Sequence, residues 1–302
     1  KLDEVMELTD RVTVLRDGQW VKTAPTAILD GEAIAQLMVG RELSSLYPAK
    51  TEPDVDEQIV LSVQSLSTGY VRDASFEVRR GEILGFSGLI GSGRTELMEA
   101  VAGLRPHASG TVAIRGEPMP SGDIQAANRH GLAYMTKDRK SKGLLLNSNM
   151  IANLTLQSLD RHGKFGYLSP ASETLALQKA SRRFDIRVRD GNIVAGRMSG
   201  GNQQKLLLAK VMETEPQIII IDEPTRGIDV GTKQQIYHFI SALARDGRSI
   251  IVVSSEMPEI IGLCTRVAVM REGRIVGMLE GDEISEQEIM RYSAGLKKKT
   301  AA

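Results

Sequence analysis

A short apolar segment leads directly into a glycine-rich loop, and this junction constrains the fold more than any other feature of the sequence. Ile83–Phe86 has the composition of a buried strand, and the loop Gly88–Thr95 (GLIGSGRT) follows it. Helical spacing of apolar residues begins at Glu96. Because glycines let successive N–H groups turn toward one point, and the next helix adds its positive N-terminus, the junction predicts an anion site in an α/β fold.

The loop fits the phosphate-loop pattern GxxxxGK[ST] except that Arg94 stands at the lysine position. An arginine still pairs with phosphate, but as a broad planar fork instead of a compact point charge. Thr95 is placed to give its hydroxyl to Mg²⁺. The alternative is a glycine-rich turn with a surface arginine; a dinucleotide fingerprint fits less well because its third glycine is missing. The candidate nucleotide-binding residues of this loop are Gly88, Gly91, Ser92, Gly93, Arg94 and Thr95.

A second loop follows a run of four isoleucines. Ile218–Ile221 predicts a strand that is buried on both faces of a parallel sheet, and Asp222 and Glu223 come directly after it. Ligands bind at the carboxyl ends of the strands in such sheets. We therefore expect Asp222 to hold Mg²⁺ and Glu223 to act as the catalytic residue that orients or deprotonates an attacking water. The alternative is a solvated acidic loop.

A third loop, Met198–Lys205 (MSGGNQQK), precedes the isoleucine strand. Ser199 can cap a helix that begins near Gly200, while Gly200 and Gly201 expose their N–H groups. The loop therefore predicts a second anion site. A simple capped surface helix is the alternative.

The rest of the sequence indicates α/β winding with an antiparallel part. Helices are predicted at Gly231–Ala244 and Pro258–Leu263, on either side of a strand at Ser249–Val253. The predicted antiparallel pairs are Ile59–Val63 with Ala74–Val78, and Val267–Met270 with Arg274–Leu279. A more polar stretch at about residues 138–200 predicts an inserted helical subdomain. The expected fold class is thus α/β with a mixed sheet core, an antiparallel β part and this insertion.

An ungapped internal repeat indicates how the chain is organised. Residues 1–18 align with residues 256–273, and both segments end in a strand followed by a turn. We therefore predict the C-terminal remnant of one domain at 1–48, an acidic, proline-containing linker at 49–58, and one complete copy of the same domain at 59–296. Residues 297–302 are predicted to form a basic tail.

Charge and composition exclude several other classes of protein. The 302 residues include 38 basic and 38 acidic side chains, so no global field favours nucleic acid and no nucleic-acid partner is expected. The single cysteine, Cys264, cannot form an internal disulfide, which fits a reducing compartment. The longest aliphatic runs fall far short of the ~20 apolar residues that a bilayer requires.

In their order along the chain, the three loops resemble those of an ABC-type ATPase domain. The corresponding segments are GLIGSGRT for the Walker A loop, MSGGNQQ for the signature, IIIIDEP for Walker B, and TRGID, which ends at Asp229, for the D-loop. Further segments, KDRKSKGL and SSEMPEI among them, are similar to the second half of tandem ATP-binding subunits of ribose-, xylose- and galactose-type sugar importers. Residues 1–48 then resemble the end of the first half.

The resemblance implies a peripheral ATPase that uses ATP and Mg²⁺ and docks on the cytoplasmic face of the inner membrane to energise uptake of a monosaccharide. Its partners would be permease transmembrane subunits, a periplasmic or extracellular sugar-binding protein and a facing ABC domain. In such ATPases two domains meet head to tail, and each ATP lies between the Walker A loop of one and the signature of the other. By this resemblance the further nucleotide-binding residues are Ser199, Gly200, Gly201, Gln203, Asp229 and Ser255.

Four departures from the family pattern bear on activity. Arg94 replaces the Walker A lysine, as is typical of the second half in this family, and Ser255 stands where the switch histidine is expected. Lys137 stands in place of the Q-loop glutamine or glutamate, and it reverses a charge beside the predicted Mg²⁺ site. The first half's phosphate loop is absent from the sequence. The departures predict that Arg94's own site binds ATP but turns over slowly, while Ser199, Gly200 and Gly201 complete a hydrolytic site in a facing domain.

Two other interpretations remain at this stage. One is a soluble tandem ABC protein that acts on the ribosome without a permease; the short acidic linker and zero net charge fit it less well, because such proteins usually carry a long basic linker. The other is an inactive fragment. The sugar itself is not encoded in this sequence, because the binding protein and the permease select it.

Overall fold

The computed structural model describes residues 2–16, 19–29, 33–34, 37, 47–48, 56–187 and 190–297. The strands are β1 (Arg11–Arg16), β2 (Gln19–Pro25), β3 (Asp56–Ser67), β4 (Ala74–Arg80), β5 (Ile83–Gly88), β6 (Ser109–Ile114), β7 (Glu117–Pro118), β8 (Leu132–Met135), β9 (Gly163–Lys164), β10 (Tyr167–Leu168), β11 (Ile218–Asp222), β12 (Ser249–Val253), β13 (Arg266–Arg271) and β14 (Arg274–Glu280). The α-helices are α1 (Leu2–Leu8), α2 (Arg94–Val101), α3 (Ile124–Arg129), α4 (Met150–Thr155), α5 (Leu159–His162), α6 (Pro170–Arg183), α7 (Gly200–Met212), α8 (Val230–Arg245), α9 (Met257–Leu263) and α10 (Glu286–Ser293).

A six-stranded mixed sheet forms the centre of the fold, in the order β14-β13-β5-β12-β11-β8. Neighbouring strands pair in parallel along β13, β5, β12, β11 and β8, and β14 pairs antiparallel with β13. Ile219 and Ile221 face a core built with α7, α8, α9 and α10, while Ile218 and Ile220 face a second core that contains α2. This two-sided burial explains the run of four isoleucines, Ile218–Ile221, in β11.

A four-stranded antiparallel sheet, in the order β4-β3-β6-β7, covers the α2 side. Its apolar side chains, such as Val63 and Phe76, share the core with Leu97 and Met98 of α2. Strand β3 begins at Asp56 instead of the predicted Ile59, because the backbone of Asp56 pairs with Arg80 at the end of β4. Backbone pairing does not need apolar side chains, so a prediction based on apolar residues could not detect this acidic extension of the strand.

Short helices fill the predicted subdomain region between β8 and α7. Helices α4 and α6 pack through buried side chains, Leu154, Leu177 and Ala180 among them, and they belong to the same core as α7. Ser169 caps α6 by accepting a hydrogen bond from the backbone N–H of Ser172, and Pro170 occupies the first turn, where its missing N–H costs nothing.

The internal repeat of the sequence is also a repeat of structure. Helix α1 and strands β1 and β2 correspond to α9, β13 and β14, and each bound in the second set is 255 higher than in the first. Both hairpins carry a register irregularity at the corresponding place, between Val14 and Leu15 and between Val269 and Met270. The N-terminal hairpin has its own small cluster of buried residues, namely Val12, Val14, Ala24, Leu29 and Ile34.

Two predicted features lie mostly outside the described residues: the linker at 49–58 and the basic tail at 297–302. In the described ranges, no helix is both long enough and apolar enough to cross a membrane.

Candidate functional site

A pocket of about 310 Å³ lies at the carboxyl ends of β5, β11 and β12. Both the glycine-rich loop after β5 and the acidic residues after β11 reach it, as expected for ligand sites in parallel sheets. Its lining residues are Ile90, Gly91, Ser92, Gly93, Arg94, Thr95, Glu96, Lys137, Glu223, Arg226, Val253 and Ser255. The structure thus brings most of the first loop together with Glu223 and Ser255 in one pocket.

The conformation of the first loop depends on its glycines. Gly88 has φ +148°, and a Cβ at this position would lie 2.2 Å from the carbonyl oxygen of Met270. Gly93 has φ +95° and stands at the N-cap of α2, where a side-chain oxygen would normally accept a hydrogen bond. The first N–H groups of a helix have no partner within the helix, so α2 presents donors at the pocket.

Ser92 adds an unusual polar group to the loop. Ser92 is 5% exposed, and its Oγ has no hydrogen-bond partner among the described residues. Burying a hydroxyl without a partner is costly. An unsatisfied donor inside a phosphate-loop fold therefore favours an anion as the natural occupant of this pocket.

Arg94 lines the pocket and also contacts the end of β12. It is 7% exposed, and its Nη1 donates a hydrogen bond to the backbone carbonyl of Ser254. Burial lowers the pKa of Arg94, while the carboxylates of Glu223 and Asp222 oppose that shift. The guanidinium therefore ties the loop to the end of β12, and its charge balances the two acidic residues.

Asp222 is fully buried at the end of β11. Its Oδ2 accepts a hydrogen bond from the hydroxyl of Tyr134 at 3.0 Å, and its Oδ1 has no partner within the part of the chain that the structure describes. Burial raises the pKa of Asp222, whereas the nearby hydroxyls of Thr95 and Tyr134 and the charge of Lys137 oppose the rise. Burying a carboxylate is costly when one of its oxygens has no hydrogen-bond partner, and a nearby cation would reduce that cost.

Lys137 places an ammonium group beside Thr95. Its Nζ donates a hydrogen bond to Thr95 Oγ1 at 2.9 Å, so an ammonium group already holds the hydroxyl predicted to bind Mg²⁺. The oxygens of Thr95 and Asp222 are donors of the kind that Mg²⁺ prefers, but Mg²⁺ binds oxygen at about 2.1 Å and repels a neighbouring positive charge. With Lys137 in this position, the site does not fit the metal. The prediction that Thr95 and Asp222 bind Mg²⁺ omitted this contact.

Glu223 has a strained backbone. It is one of the non-glycine residues with positive φ, at +53°, and its N–H donates to the carbonyl of Val253 at 2.7 Å. Its Oε2 accepts a hydrogen bond from Ser255 Oγ at 3.0 Å. Strain of this kind persists at functional sites when the surrounding structure over-determines it. The strand ends thus aim the candidate catalytic carboxylate into the pocket, and Ser255 holds it there.

The third loop lies outside the lining of the pocket. Ser199 caps α7 by accepting from the N–H of Asn202, as predicted, and is exposed. A Cβ at Gly201 would lie 2.7 Å from Thr232 Oγ1, so the start of α7 packs closely against the start of α8. Asp229 caps α8 by accepting from the N–H and hydroxyl of Thr232 at 2.9 and 2.8 Å. The described lining of the pocket does not include Ser199, Gly200, Gly201, Gln203 or Asp229.

Gln203 differs from the other residues predicted to contact nucleotide. It is 5% exposed, its Nε2 donates to the carbonyl of Ala195 at 3.0 Å, and its Oε1 accepts from Arg139 Nε at 3.1 Å. Both ends of the amide are therefore engaged within the domain. The structure gives Gln203 a role in holding α7, which a capped-helix pattern could not reveal.

Arg139 is a residue that sequence reasoning did not assign. Its Nη1 donates to Gln204 Oε1 at 3.1 Å, and Gln204 Nε2 donates to the carbonyl of Pro224, next to Glu223, at 2.6 Å. Together with its bond to Gln203, this chain of contacts joins the segment after Lys137 to α7 and to the end of β11. The only sequence signal was the basic segment KDRKSKGL, which does not identify a partner.

Comparison with known proteins gives consistent results. The family model described as ABC transporter matches residues 71–226. The chain is 43% identical over 298 residues to the ribose import ATP-binding protein RbsA 3 of Rubrobacter xylanophilus, covering 98% of this chain and 59% of that protein. It is 42% identical over 298 residues to the ribose import ATP-binding protein RbsA 2 of Rhizobium meliloti, covering 98% and 58%. The chain thus spans about three fifths of the length of these relatives.

Solved structures confirm the predicted fold class. A nucleotide-free ATP-binding cassette from an ABC transporter superposes with a TM-score of 0.65 at 17% identity, over 77% of this chain and 95% of that chain. A dimeric ATP-binding cassette in a post-hydrolysis state, bound to ADP and Pi, gives 0.63 at 17% identity, over 73% and 98%. At this identity the likeness establishes the fold alone.

Proposed function

Since the chain belongs to the ABC transporter family, we propose that it is the C-terminal portion of an ATP-binding subunit that hydrolyses ATP to energise monosaccharide uptake. The observation that carries the proposal is the convergence of the glycine-rich loop and Glu223 on one pocket, with Asp222 buried beside it. Relatives that are 43% and 42% identical are named as ribose import ATP-binding proteins, which supports a sugar of this class as the cargo.

In the proposed mechanism, the two halves of the subunit contribute unequally. Ser199 and Gly200 stand at the start of the 13-residue helix α7, outside the pocket of their own domain. The N–H groups there are oriented for an anion, and the helix dipole favours negative charge. We assign Ser199, Gly200 and Gly201 to an ATP held by the phosphate loop of a facing domain, with Asp229 supporting the start of α8 beside them.

The pocket of this domain is proposed to bind ATP and to hydrolyse it slowly. Gly88, Gly91, Ser92, Gly93 and Thr95 form the cradle for the phosphates. Arg94 bonds to the carbonyl of Ser254, and a serine instead of an imidazole contacts Glu223. When bound at the facing site, Mg²⁺ would supply charge stabilisation for the transferred phosphoryl group. Glu223 would orient water or accept its proton wherever turnover occurs.

The proposed partners follow from the same assignment. They are permease transmembrane subunits, a periplasmic or extracellular sugar-binding protein and a facing ABC domain, with the ATPase lying at the cytoplasmic face of the inner membrane. The balanced charge of 38 basic and 38 acidic residues supports protein partners over nucleic acid.

The test is steady-state ATP hydrolysis by the full tandem protein with one substitution at a time. Ser199→Arg should abolish most of the activity, because it places a bulky cation where the facing nucleotide binds. Arg94→Ala should retain most of it. Ser169→Arg is the matched control, because Ser169 is also an exposed serine that caps a helix, α6, outside the pocket. If Arg94→Ala abolishes activity while Ser199→Arg does not, the unequal assignment is wrong.

A further inference from the structure

The contact between Lys137 and Thr95 joins two segments that meet only in the folded chain. Lys137 follows β8, Thr95 belongs to the first turn of α2, and Lys137 Nζ lies 2.9 Å from Thr95 Oγ1. Lys137 also lines the pocket together with the phosphate loop. Its ammonium therefore sits at the junction of the loop and the buried carboxylate.

The pocket is surrounded by other charged groups, both acidic and basic. The acidic groups are the fully buried Asp222 and the lining residues Glu96 and Glu223. Of the other cations that line the pocket, Arg94 donates a hydrogen bond from Nη1 to the carbonyl of Ser254, and Arg226 belongs to the loop after Glu223.

We propose that Lys137 is a tethered cation of the nucleotide site, so that this domain binds ATP without requiring a divalent metal. The proposal rests on the function proposed above and refines it for this pocket. A lysine ammonium is a compact charge with three donors. One is directed to Thr95, and the remaining donors can reach phosphate oxygens held by the loop. Lys137 then supplies both the compact charge that Arg94 does not bring to the loop and part of the charge that a metal would bring.

The same contact explains why the metal would be disfavoured here. A divalent ion bound to Thr95 or Asp222 would lie next to the ammonium, and two positive charges at such a distance repel each other. Metal binding would require Lys137 to leave its hydrogen bond. We therefore expect Mg²⁺ to add little to nucleotide affinity in the wild-type pocket.

The experiment measures ATP binding to the 302-residue chain by calorimetry, once with excess Mg²⁺ and once with EDTA. The chain contains one phosphate loop, so one class of site is titrated. The wild-type dissociation constants should agree within about threefold. Lys137→Gln should weaken binding in EDTA by at least about tenfold, the size of one charge-assisted hydrogen bond, while binding with Mg²⁺ is kept or improved. Lys140→Gln, an exposed lysine outside the pocket lining, should behave as wild type.

Four outcomes decide the matter. Mg-independent binding by the wild type that becomes Mg-dependent in Lys137→Gln supports the proposal. Wild-type binding that is lost in EDTA overturns it and leaves the proposed function intact, and so does a Lys137→Gln protein whose affinity is unchanged in EDTA. Absence of ATP binding in both buffers overturns the proposed nucleotide site itself. The wild-type comparison needs no substitution, so a folding defect in the variant cannot mask the result.

Discussion

Ser255 donates a hydrogen bond from its hydroxyl to the carboxylate of Glu223, with 3.0 Å between Ser255 Oγ and Glu223 Oε2. The two residues follow the ends of the neighbouring strands β12 and β11. Glu223 adopts φ +53°, a conformation that L-residues with a Cβ avoid. The carboxylate is therefore held in the pocket at a cost to the stability of the fold.

We predict that Glu223→Gly raises the free energy of unfolding by about 1 kcal/mol relative to Glu223→Ala, because glycine relieves the strain at positive φ and alanine does not. Both substitutions remove the carboxylate, so the comparison isolates the backbone. Urea denaturation of the two variants, followed by circular dichroism, measures the difference. Equal stability of the two variants would contradict the strained conformation.

Tyr47 provides a pH-dependent contact. Its ring stacks on Tyr237 with centroids 4.9 Å apart and planes inclined by 22°. Burial raises the pKa of Tyr47 from 10.0 to about 12, the carboxylates of Glu259 and Glu256 act in the same direction, and the hydrogen bond with Tyr237 opposes them. In the unfolded chain the phenol ionises near pH 10, whereas in the folded chain it keeps its proton to a higher pH.

The folded state therefore binds more protons between about pH 10 and pH 12, so its stability should decrease as the pH rises through that window. Tyr47→Phe keeps the stacked ring but cannot ionise. We predict that its free energy of unfolding decreases less steeply over this window than that of the wild type, as measured by urea titrations at successive pH values. Burial raises the pKa of Tyr237 as well, and Tyr237 is present in both proteins. Parallel curves would show that Tyr47 does not titrate from a buried position.

Much of the fold was predictable from local pattern. The strand before the glycine loop, the isoleucine strand, the cap at Ser199 and the repeated hairpin all follow from short-range rules of periodicity and turn chemistry. In the structure, the two copies of the repeat also have matching element bounds. Each of these signals lies within about one element of sequence, which is the range over which such rules act.

The contacts that decide the chemistry were not predictable in the same way. Lys137 and Thr95 are 42 residues apart, and Arg139 and Gln203 are 64 apart. Their meeting depends on how β8, α2 and α7 pack, which no single segment encodes. The sequence identified Lys137 as a charge reversal, but it could not show that the ammonium reaches Thr95. Similarly, Gln203 lay within a recognisable motif, yet only packing reveals that its amide is engaged inside the domain.

Arg139 should contribute to stability through its two glutamine partners. Gln203 and Gln204 are 5% and 3% exposed, and each accepts a hydrogen bond from the guanidinium at 3.1 Å. Arg139→Ala leaves both acceptors buried without this donor, so we predict a loss of about 2 kcal/mol in the free energy of unfolding. Arg139→Lys should recover only part of it, because an ammonium does not match the planar fork.

The matched control for Arg139 is Lys140→Ala, at the next position and exposed, which should change stability by no more than about 0.5 kcal/mol. Denaturant titration of the three variants gives the comparison. Arg139→Ala and Lys140→Ala with the same small effect would mean that the guanidinium does not hold α7 in solution.

Gly262 offers a test of whether Tyr47 docks on this domain. A Cβ at Gly262, in helix α9, would lie 2.4 Å from Tyr47 Cδ1, well inside contact distance. Gly262→Ala should therefore destabilise the wild type by about 1–3 kcal/mol through overpacking. In the Tyr47→Ala background the clash is absent, and the same substitution should stabilise the chain by about 0.5–1 kcal/mol, because alanine favours the helix over glycine.

This change of sign distinguishes a specific contact from a general sensitivity of α9. Gly231→Ala, in helix α8, is the control: a Cβ there meets only Asp229 Oδ1, at an ordinary 3.4 Å, so its effect should be the same with and without Tyr47. The double-mutant cycle for Tyr47 and Gly262, measured by denaturant unfolding, should give a coupling well above the ~0.5 kcal/mol typical of independent sites. If Gly262→Ala has the same effect in both backgrounds, Tyr47 does not pack on α9, and the segment before β3 is not anchored to this domain through its ring.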